Sequence, residues 1–365
     1  MRINCERPAL MDRIIQKDAM AVLENLGAKN DRFSGKSLLL TGAAGFLGAH
    51  FMHYFAVLNH TWILDAPVTV LAVDNFVRGK PGWVTKFGDD NHIRFVAADV
   101  TMYEPGQQFD FIIHAASIAS PTYYRKHPIE TMDANILGLR QLLDSAVSNS
   151  VESMLFFSSS EIYGDPTPEN IPTSETYNGN VSCTGPRACY DESKRFGETL
   201  CVNYQRVYGI PVKIVRPFNN YGPGLDIHDA RVVPDFFRDV LADRDIRLLS
   251  DGSPTRTFCY ISDAITGYLL ALLSGEDGES FNIGVDRPEI SIHDLARLII
   301  QLSGKPLQVI RAKSDDSDYL EDNPEHRCPD ISKARRLLGY EPKIKLEEGL
   351  DATRKWYVQN ATVLS

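Results

Sequence analysis

Cysteine is sparse and badly spaced for chemistry. The six residues Cys5, Cys183, Cys189, Cys201, Cys259 and Cys328 form no CxxC pair and no zinc-ligand spacing. Neither a disulfide framework nor a metal site is expected, and reduced cysteines in a cytoplasmic setting are. Positive charge is also short. Lys and Arg number 38 against 48 Asp and Glu, a net charge of −10, which excludes a general polyanion binder and makes nucleic acid an unexpected partner. A local basic pocket stays compatible with that balance. No apolar run reaches membrane length, and the first thirty-odd residues lack the apolar core of a signal peptide, so no membrane partner is expected. Strict repeats and low-complexity tracts are absent.

The residues present, 43% hydrophobic and 24% charged, suit a globular protein with a sizeable core. A chain of 365 residues exceeds one usual compact unit, which favours a large nucleotide-binding domain with a smaller lobe. Met11, Ile14, Ile15, Val22, Leu23 and Leu26 fall at helical spacing, so residues 1–34 read as an amphipathic helical extension packed on the body or on a neighbouring subunit. From Ser37, short apolar runs alternate with helix-length stretches: Leu38–Leu40, Val68–Val73, Ile93–Val96, Phe111–Ile113, Met154–Phe157 and Val212–Val215. That alternation predicts an α/β fold, a doubly wound parallel sheet of Rossmann type over 35–218. Helices are expected over 128–147 and 191–208, the second burying Phe196, Leu200, Tyr204 and Val207. Residues 219–365, richer in Asp, Gly and Pro, read as mainly a substrate-binding lobe with some chain exchange, holding a short strand at Phe281–Ile283 and helices near 293–302 and 346–358. The Pro-, Thr-, Ser- and Asn-rich loop 165–187 suits an active-site mouth.

Thr41-Gly42-Ala43-Ala44-Gly45-Phe46-Leu47-Gly48 follows the first apolar run and opens a helix, the context in which a glycine triplet cradles a pyrophosphate on a helix N-terminus. Asp74 ends the second run, where a carboxylate accepts from ribose hydroxyls and repels a 2′-phosphate; NAD is therefore favoured over NADP, with the nearby Arg78 as the counter-indication. Asp99 and Val100, after the third run, either flank the adenine or cap their loop. Tyr190 and Lys194 are four positions apart and share a helical face, where an ammonium can lower the phenol pKa; with the hydroxyls Ser158, Ser159 and Ser160 they suggest acid–base work on a sugar hydroxyl.

On the glycine turn and the Tyr190-x-x-x-Lys194 motif the chain resembles the extended short-chain dehydrogenase/reductase family. Over about Lys36 to Tyr357 it is most similar to the UDP-glucuronic acid decarboxylase branch. The matching stretches are Asp74-Asn75-Phe76, His114-Ala115-Ala116, Ala119-Ser120-Pro121, Ser160 to Pro166, Gly185 to Glu192, Arg216 to Pro223, Arg231-Val232-Val233, Thr255 to Phe258 and Arg327 to Asp330. The resemblance implies a homodimer built from two long helices per subunit. It also implies NAD as cofactor, met by the glycine turn, Asn75, His114, Ala115 and Ala116 as well as Tyr190 and Lys194, and a nucleotide sugar, UDP-glucuronate, as substrate. Tyr190 is then the base at the 4-hydroxyl, Ser159 orients the oxygen with Ser160 beside it in the catalytic group, and Glu161 acts near C5 once a 4-ketone has made the carboxylate labile. Ser120, Asn219, Asn220, Arg231, Val232, Arg256 and Arg327 are implied substrate contacts, with Arg256 at the acidic end and Arg231 and Arg327 at the diphosphate or ribose. A 4-epimerase and an oxidative decarboxylase releasing the 4-keto pentose are the alternatives. The chain departs from the family at Ser159, commonly Thr, at Gly224-Leu225, where an arginine is usual, and at Ala116-Ser117-Ile118.

Overall fold

The computed structural model describes residues 12–61, 63–312 and 324–361. Cys5 and Met11 lie outside them, and the other five cysteines are free thiols. The apolar runs become strands β1 (Ser37–Thr41), β2 (Thr69–Asp74), β3 (Ile93–Ala97), β4 (Phe111–His114), β5 (Ser153–Phe157) and β6 (Val212–Pro217). Successive side chains on a strand face opposite sides, so β1, in which Leu38, Leu39 and Leu40 have no exposure, needs cover on both faces. Farther on come β7 (Asn220–Tyr221), β8 (Ile246–Leu248), β9 (Thr255–Arg256), β10 (Cys259–Tyr260), β11 (Ser280–Ile283), β12 (Ile290–Ser291), β13 (Val309–Arg311) and β14 (His326–Arg327).

The central sheet runs β3-β2-β1-β4-β5-β6-β11, with every pairing parallel. Its strand order reverses between β1 and β4, which opens a crevice at the carboxyl ends of those strands. Phe281–Ile283, expected in the smaller lobe, instead forms the sheet's last strand. The reason is burial on both faces: Phe281, Asn282 and Ile283 are all inaccessible, and the Asn282 amide donates to the carbonyls of Thr173 and Asp330.

The helices are α1 (Arg13–Leu26), α2 (Phe46–Asn59), α3 (Pro121–Lys126), α4 (Pro128–Asp133), α5 (Leu139–Ser148), α6 (Ala188–Tyr208), α7 (Val232–Leu241), α8 (Ile261–Leu272), α9 (Ile292–Ser303), α10 (Ser332–Leu338) and α11 (Leu346–Gln359). The single helix expected over 128–147 is broken by a π turn at Ala134–Gly138. There Asn135 is buried and donates to Ser193 Oγ on α6 at 2.9 Å. Helix α6 ends where Gly209, in the left-handed region at φ 69, returns its N–H to Gln205.

The buried face of α6 is not the one expected. Phe196 is 48% exposed and Val207 69%, while Tyr190, Ser193, Lys194, Gly197 and Cys201 face inward. Gly197 permits this orientation, since a Cβ there would stand 2.5 Å from the Phe156 ring. The sheet thus takes the face carrying Tyr190 and Lys194; of the expected stripe, Leu200 and Tyr204 pack half-buried against the core and Phe196 and Val207 are left outside. Helix α1 sinks Ala19, Val22, Leu23 and Leu26 into the main core. It also buries Asp18, whose carboxyl oxygens accept from Tyr260 OH at 2.9 and 3.1 Å; burial, opposed by that bond, pushes the Asp18 carboxyl up to about 7.

Candidate active site

The turn after β1 is a close-packed backbone loop. Gly42 has φ +73, and a Cβ on it would stand 2.6 Å from Ala116 N and 2.7 Å from Ala115 O. Gly48, in the first turn of α2, leaves no more room: its Cβ would meet Gly42 O at 2.2 Å. Only glycine lets α2 start against the crevice with free N–H groups facing it. Asp74, at the end of β2, accepts from Ala44 N at 2.9 Å and Phe76 N at 2.8 Å. Asn75 donates to Asp99 across to the next strand end at 3.1 Å, and Asp99 also holds Thr101, so its loop-capping role is realised. Val100 is buried against Gly138. His114 bonds Thr41 Oγ1 through Nδ1 at 2.8 Å and stacks on Phe156, so its ring serves the core.

A cavity of about 670 Å³ opens at the same strand ends. Gly42, Gly45, Phe46, Leu47 and Ala115 line one side. Ser159, Ser160, Glu161, Tyr190 and Lys194 line its floor, and Ser120, Asn219, Asn220, Arg231, Val232, Arg256 and Arg327 line the rest. Ala44, Asp74, Asn75, Asp99, Val100, His114 and Ala116 lie outside it.

Tyr190 and Lys194 project from α6 as expected. Lys194 Nζ donates to Phe157 O at 2.7 Å and stands 5.7 Å from the centre of the Tyr190 ring. Its electrostatic effect on the phenol is not the expected one. Burial pushes the phenol up to about 12, against a hydrogen bond with Ser159, and burial pushes the Lys194 ammonium down to about 7. Burial of both groups, packed away from water, is therefore the leading cause of each shift. Ser159 also caps the turn into Glu161, accepting from Glu161 N at 3.2 Å.

Glu161 sits between two guanidiniums. Arg327 reaches both of its oxygens, at 2.5 and 2.6 Å, and Arg187 bonds it from the other side. Burial opposes its ionisation, but Arg187 and then Arg327 outweigh burial and hold the carboxyl below its usual range. Arg327 is thus bound to Glu161 rather than free for a diphosphate. Arg256 likewise donates to the carbonyls of Thr255, Pro324 and Glu325 at 2.5 to 3.1 Å; burial and then Arg327 push it down to about 9. Ser120 Oγ donates to Asp229 O at 2.8 Å, Asn219 to Thr257 O at 2.8 Å, and Asn220 to Tyr268 OH.

Tyr124, Arg187 and Asp229 are cavity residues missed in the sequence. Tyr124 stacks on Tyr190, with centroids 5.1 Å apart and planes 11° apart, and Arg187 pairs with Glu161. Arg187 lies three residues before Tyr190, one helical turn away on the same face, a spacing that could have flagged it.

The chain matches the NAD dependent epimerase/dehydratase family over residues 38–284. It is 36% identical over 325 residues to UDP-glucuronic acid decarboxylase 6 of Arabidopsis thaliana, covering 88% of this chain and 89% of that protein. It is 38% identical to UDP-glucuronic acid decarboxylase 1 of Xenopus tropicalis, covering 88% of this chain and 72% of that one. Among solved structures, UDP-glucuronic acid 4-epimerase from Bacillus cereus, in complex with UDP-glucuronic acid and NAD, superposes with a TM-score of 0.75 at 27% identity, covering 88% and 99% of the two chains.

Proposed function

The chain belongs to the NAD dependent epimerase/dehydratase family, and from that premise we propose that it converts UDP-glucuronate to UDP-xylose and carbon dioxide through a 4-keto sugar. The observation that carries this reading is Glu161, an ionised carboxylate clasped by two arginines on the cavity floor beside Tyr190. A C4 epimerisation makes and breaks no bond at C5, whereas decarboxylation leaves a C5 carbanion that must be protonated, a step a group beside C5 can assist.

The glycine turn fits a dinucleotide, because its backbone closeness leaves N–H groups where side chains would otherwise stand. Gly42, Gly45, Phe46 and Leu47 would hold the pyrophosphate, Asp74 the adenosine ribose, and Lys194 the second ribose. Bound NAD supplies a reversible hydride acceptor for C4. Tyr190 would act as the phenolate, a form that burial disfavours and that the positive charge of bound NAD would favour; it would take the 4-hydroxyl proton as the C4–H bond gives up its hydride, with Ser159 orienting the oxygen. The ketone stands β to the carboxylate, so the C5–C6 bond breaks with its electron pair delocalised onto the C4 oxygen. Glu161, ionised and paired, is a poor proton donor by itself; it can orient a water that protonates C5. Tyr190 returns its proton to the C4 oxygen as the hydride comes back. Arg231, which lines the cavity, brings positive charge for the substrate's diphosphate.

We also read the molecule as a cytoplasmic homodimer. Phe196 and Val207 on α6 and Leu137 and Val147 next to it on the π turn and α5 form an apolar face without cover among the described residues, which two long helices of a second copy would match.

Incubation with UDP-glucuronate and NAD, followed by mass analysis, tests the function. A nucleotide sugar lighter by one carbon dioxide, with no net reduced cofactor, is the expected product. An unchanged mass with an inverted 4-hydroxyl would make the chain an epimerase, and accumulating NADH an oxidative decarboxylase.

A further inference from the structure

Asp229 has no solvent exposure, and its carboxylate is held between two arginines from distant parts of the chain. Arg78, in the loop after β2, is ion-paired with Oδ1 at 2.8 Å, and Arg231, just ahead of α7, donates to Oδ2 from Nε. The carbonyl of Asp229 accepts from Ser120 Oγ, in the loop after β4, at 2.8 Å. Arg78 is further fixed by Asp226 at 3.5 Å and by stacking over Tyr123, 4.5 Å from its ring centre.

Between Asp229 and Arg231 sits Ala230 with φ 59, a left-handed backbone that a residue with a Cβ seldom adopts. That turn brings side chains two residues apart onto each other. Strain of this kind persists where the surroundings over-determine it, often at ligand clamps. Arg78, Ser120, Asp229 and Arg231 all line the cavity described above. Arg78 stands in the loop after β2 and Arg231 just ahead of α7, so Asp229, through its carboxylate and its carbonyl, joins three loops across the mouth.

We infer that Asp229 is a positioning residue that fixes the Arg231 guanidinium for the substrate's diphosphate and ties that grip to Arg78 on the cofactor side. The inference rests on the nucleotide-sugar reading above. A guanidinium already held in one rotamer loses less freedom on meeting an anion, which is how a residue that touches no ligand sets affinity.

The test is titration of UDP into the NAD-loaded protein by calorimetry, with turnover of UDP-glucuronate measured separately. Asp229→Asn is expected to weaken UDP binding about tenfold, the scale of one charge-assisted hydrogen bond. Asp229→Asn combined with Arg231→Ala is expected to be no weaker than Arg231→Ala alone. In turnover KM rises by a larger factor than kcat falls, because Asp229 acts through Arg231, whose charge is only a minor influence on Tyr190. Should Asp229→Asn fail to fold, Arg78→Ala, Arg231→Ala and their double carry the same test with Asp229 intact, and a double less severe than the product of the singles is expected. UDP affinity within twofold of wild type in Asp229→Asn, or effects that multiply fully, overturns the inference. UDP binding without turnover of UDP-glucuronate sinks only the assignment of the sugar, and no UDP binding by wild type sinks both.

Discussion

Replacing Asp18 by Asn is expected to stabilise the protein at neutral and alkaline pH and to change little in acid. Asp18 is buried on α1 among Val22, Leu23 and the α8 side of the core, with Tyr260 OH as its hydrogen-bond donor and no cation bonded to it; Lys17 lowers its pKa, and Asp12 and Asp263 raise it. Its carboxyl rises from 3.8 to about 7 on folding, a difference of about 3.2, and at 1.36 kcal/mol for each pKa unit the linkage amounts to about 4 kcal/mol. Local relaxation of α1 makes about 1–3 kcal/mol the working expectation. The folded pKa lies above the unfolded one, so the folded state holds the extra proton. Stability is fully present below pH 4, declines as pH rises from about 4 to 7, and stays at its lower level above 7. Asn keeps an oxygen for Tyr260 without the charge, so Asp18→Asn should match wild type near pH 4 and exceed it by a growing margin up to pH 7. Urea unfolding of both proteins from pH 4 to 8.5 measures that margin. Parallel stability curves, or an Asp18→Asn chain less stable at pH 8, would refute the argument that burial dominates this carboxyl.

Tyr190→Phe should lower turnover by about 10³-fold with cofactor still retained, read by turnover and by absorbance of the bound nicotinamide; near-normal rates would remove the phenol as base. Glu161→Ala should slow carbon dioxide release far more than it weakens NAD binding, and the reverse ranking would take Glu161 out of the chemistry. Arg187→Gln should raise the Glu161 pKa, since Arg187 is the foremost charge holding it down, and so shift the acid limb of the pH–rate profile upward; an unmoved limb counts against an ionised Glu161. Gly42→Ala should destabilise the fold by about 1–3 kcal/mol and release the cofactor, because its Cβ would press on backbone atoms that cannot step aside, as a melting curve with and without NAD would show. Phe196→Glu should halve the mass measured in solution if the exposed face of α6 joins two copies.

Local signals carried most of the site. The glycine turn and the Tyr190–Lys194 spacing are decided within a few residues, and both stand at the crevice where the strand order reverses. Signals that depend on what lies across space were lost. Phe196, Leu200, Tyr204 and Val207 looked like a core stripe, yet only Leu200 and Tyr204 pack against the core, and full burial on α6 goes to residues such as Ser193, Gly197 and Cys201, which allow the helix to lie close to the sheet. Nothing near Arg327 or Arg256 announces that one grips Glu161 and the other the loop at 324–325, because those partners come from elsewhere in the chain. The direction of the Tyr190 and Lys194 shifts was also out of reach, since it turns on how little water touches them.

The position of β11 at the sheet's end has a consequence for synthesis. Until segment 280–283 has left the ribosome, β6 presents a bare row of N–H and C=O groups, a template for joining another chain. A polypeptide stopped near residue 218 would keep every strand of the dinucleotide crevice and still carry that sticky margin, so release of such a fragment should end in aggregates rather than in a small working half.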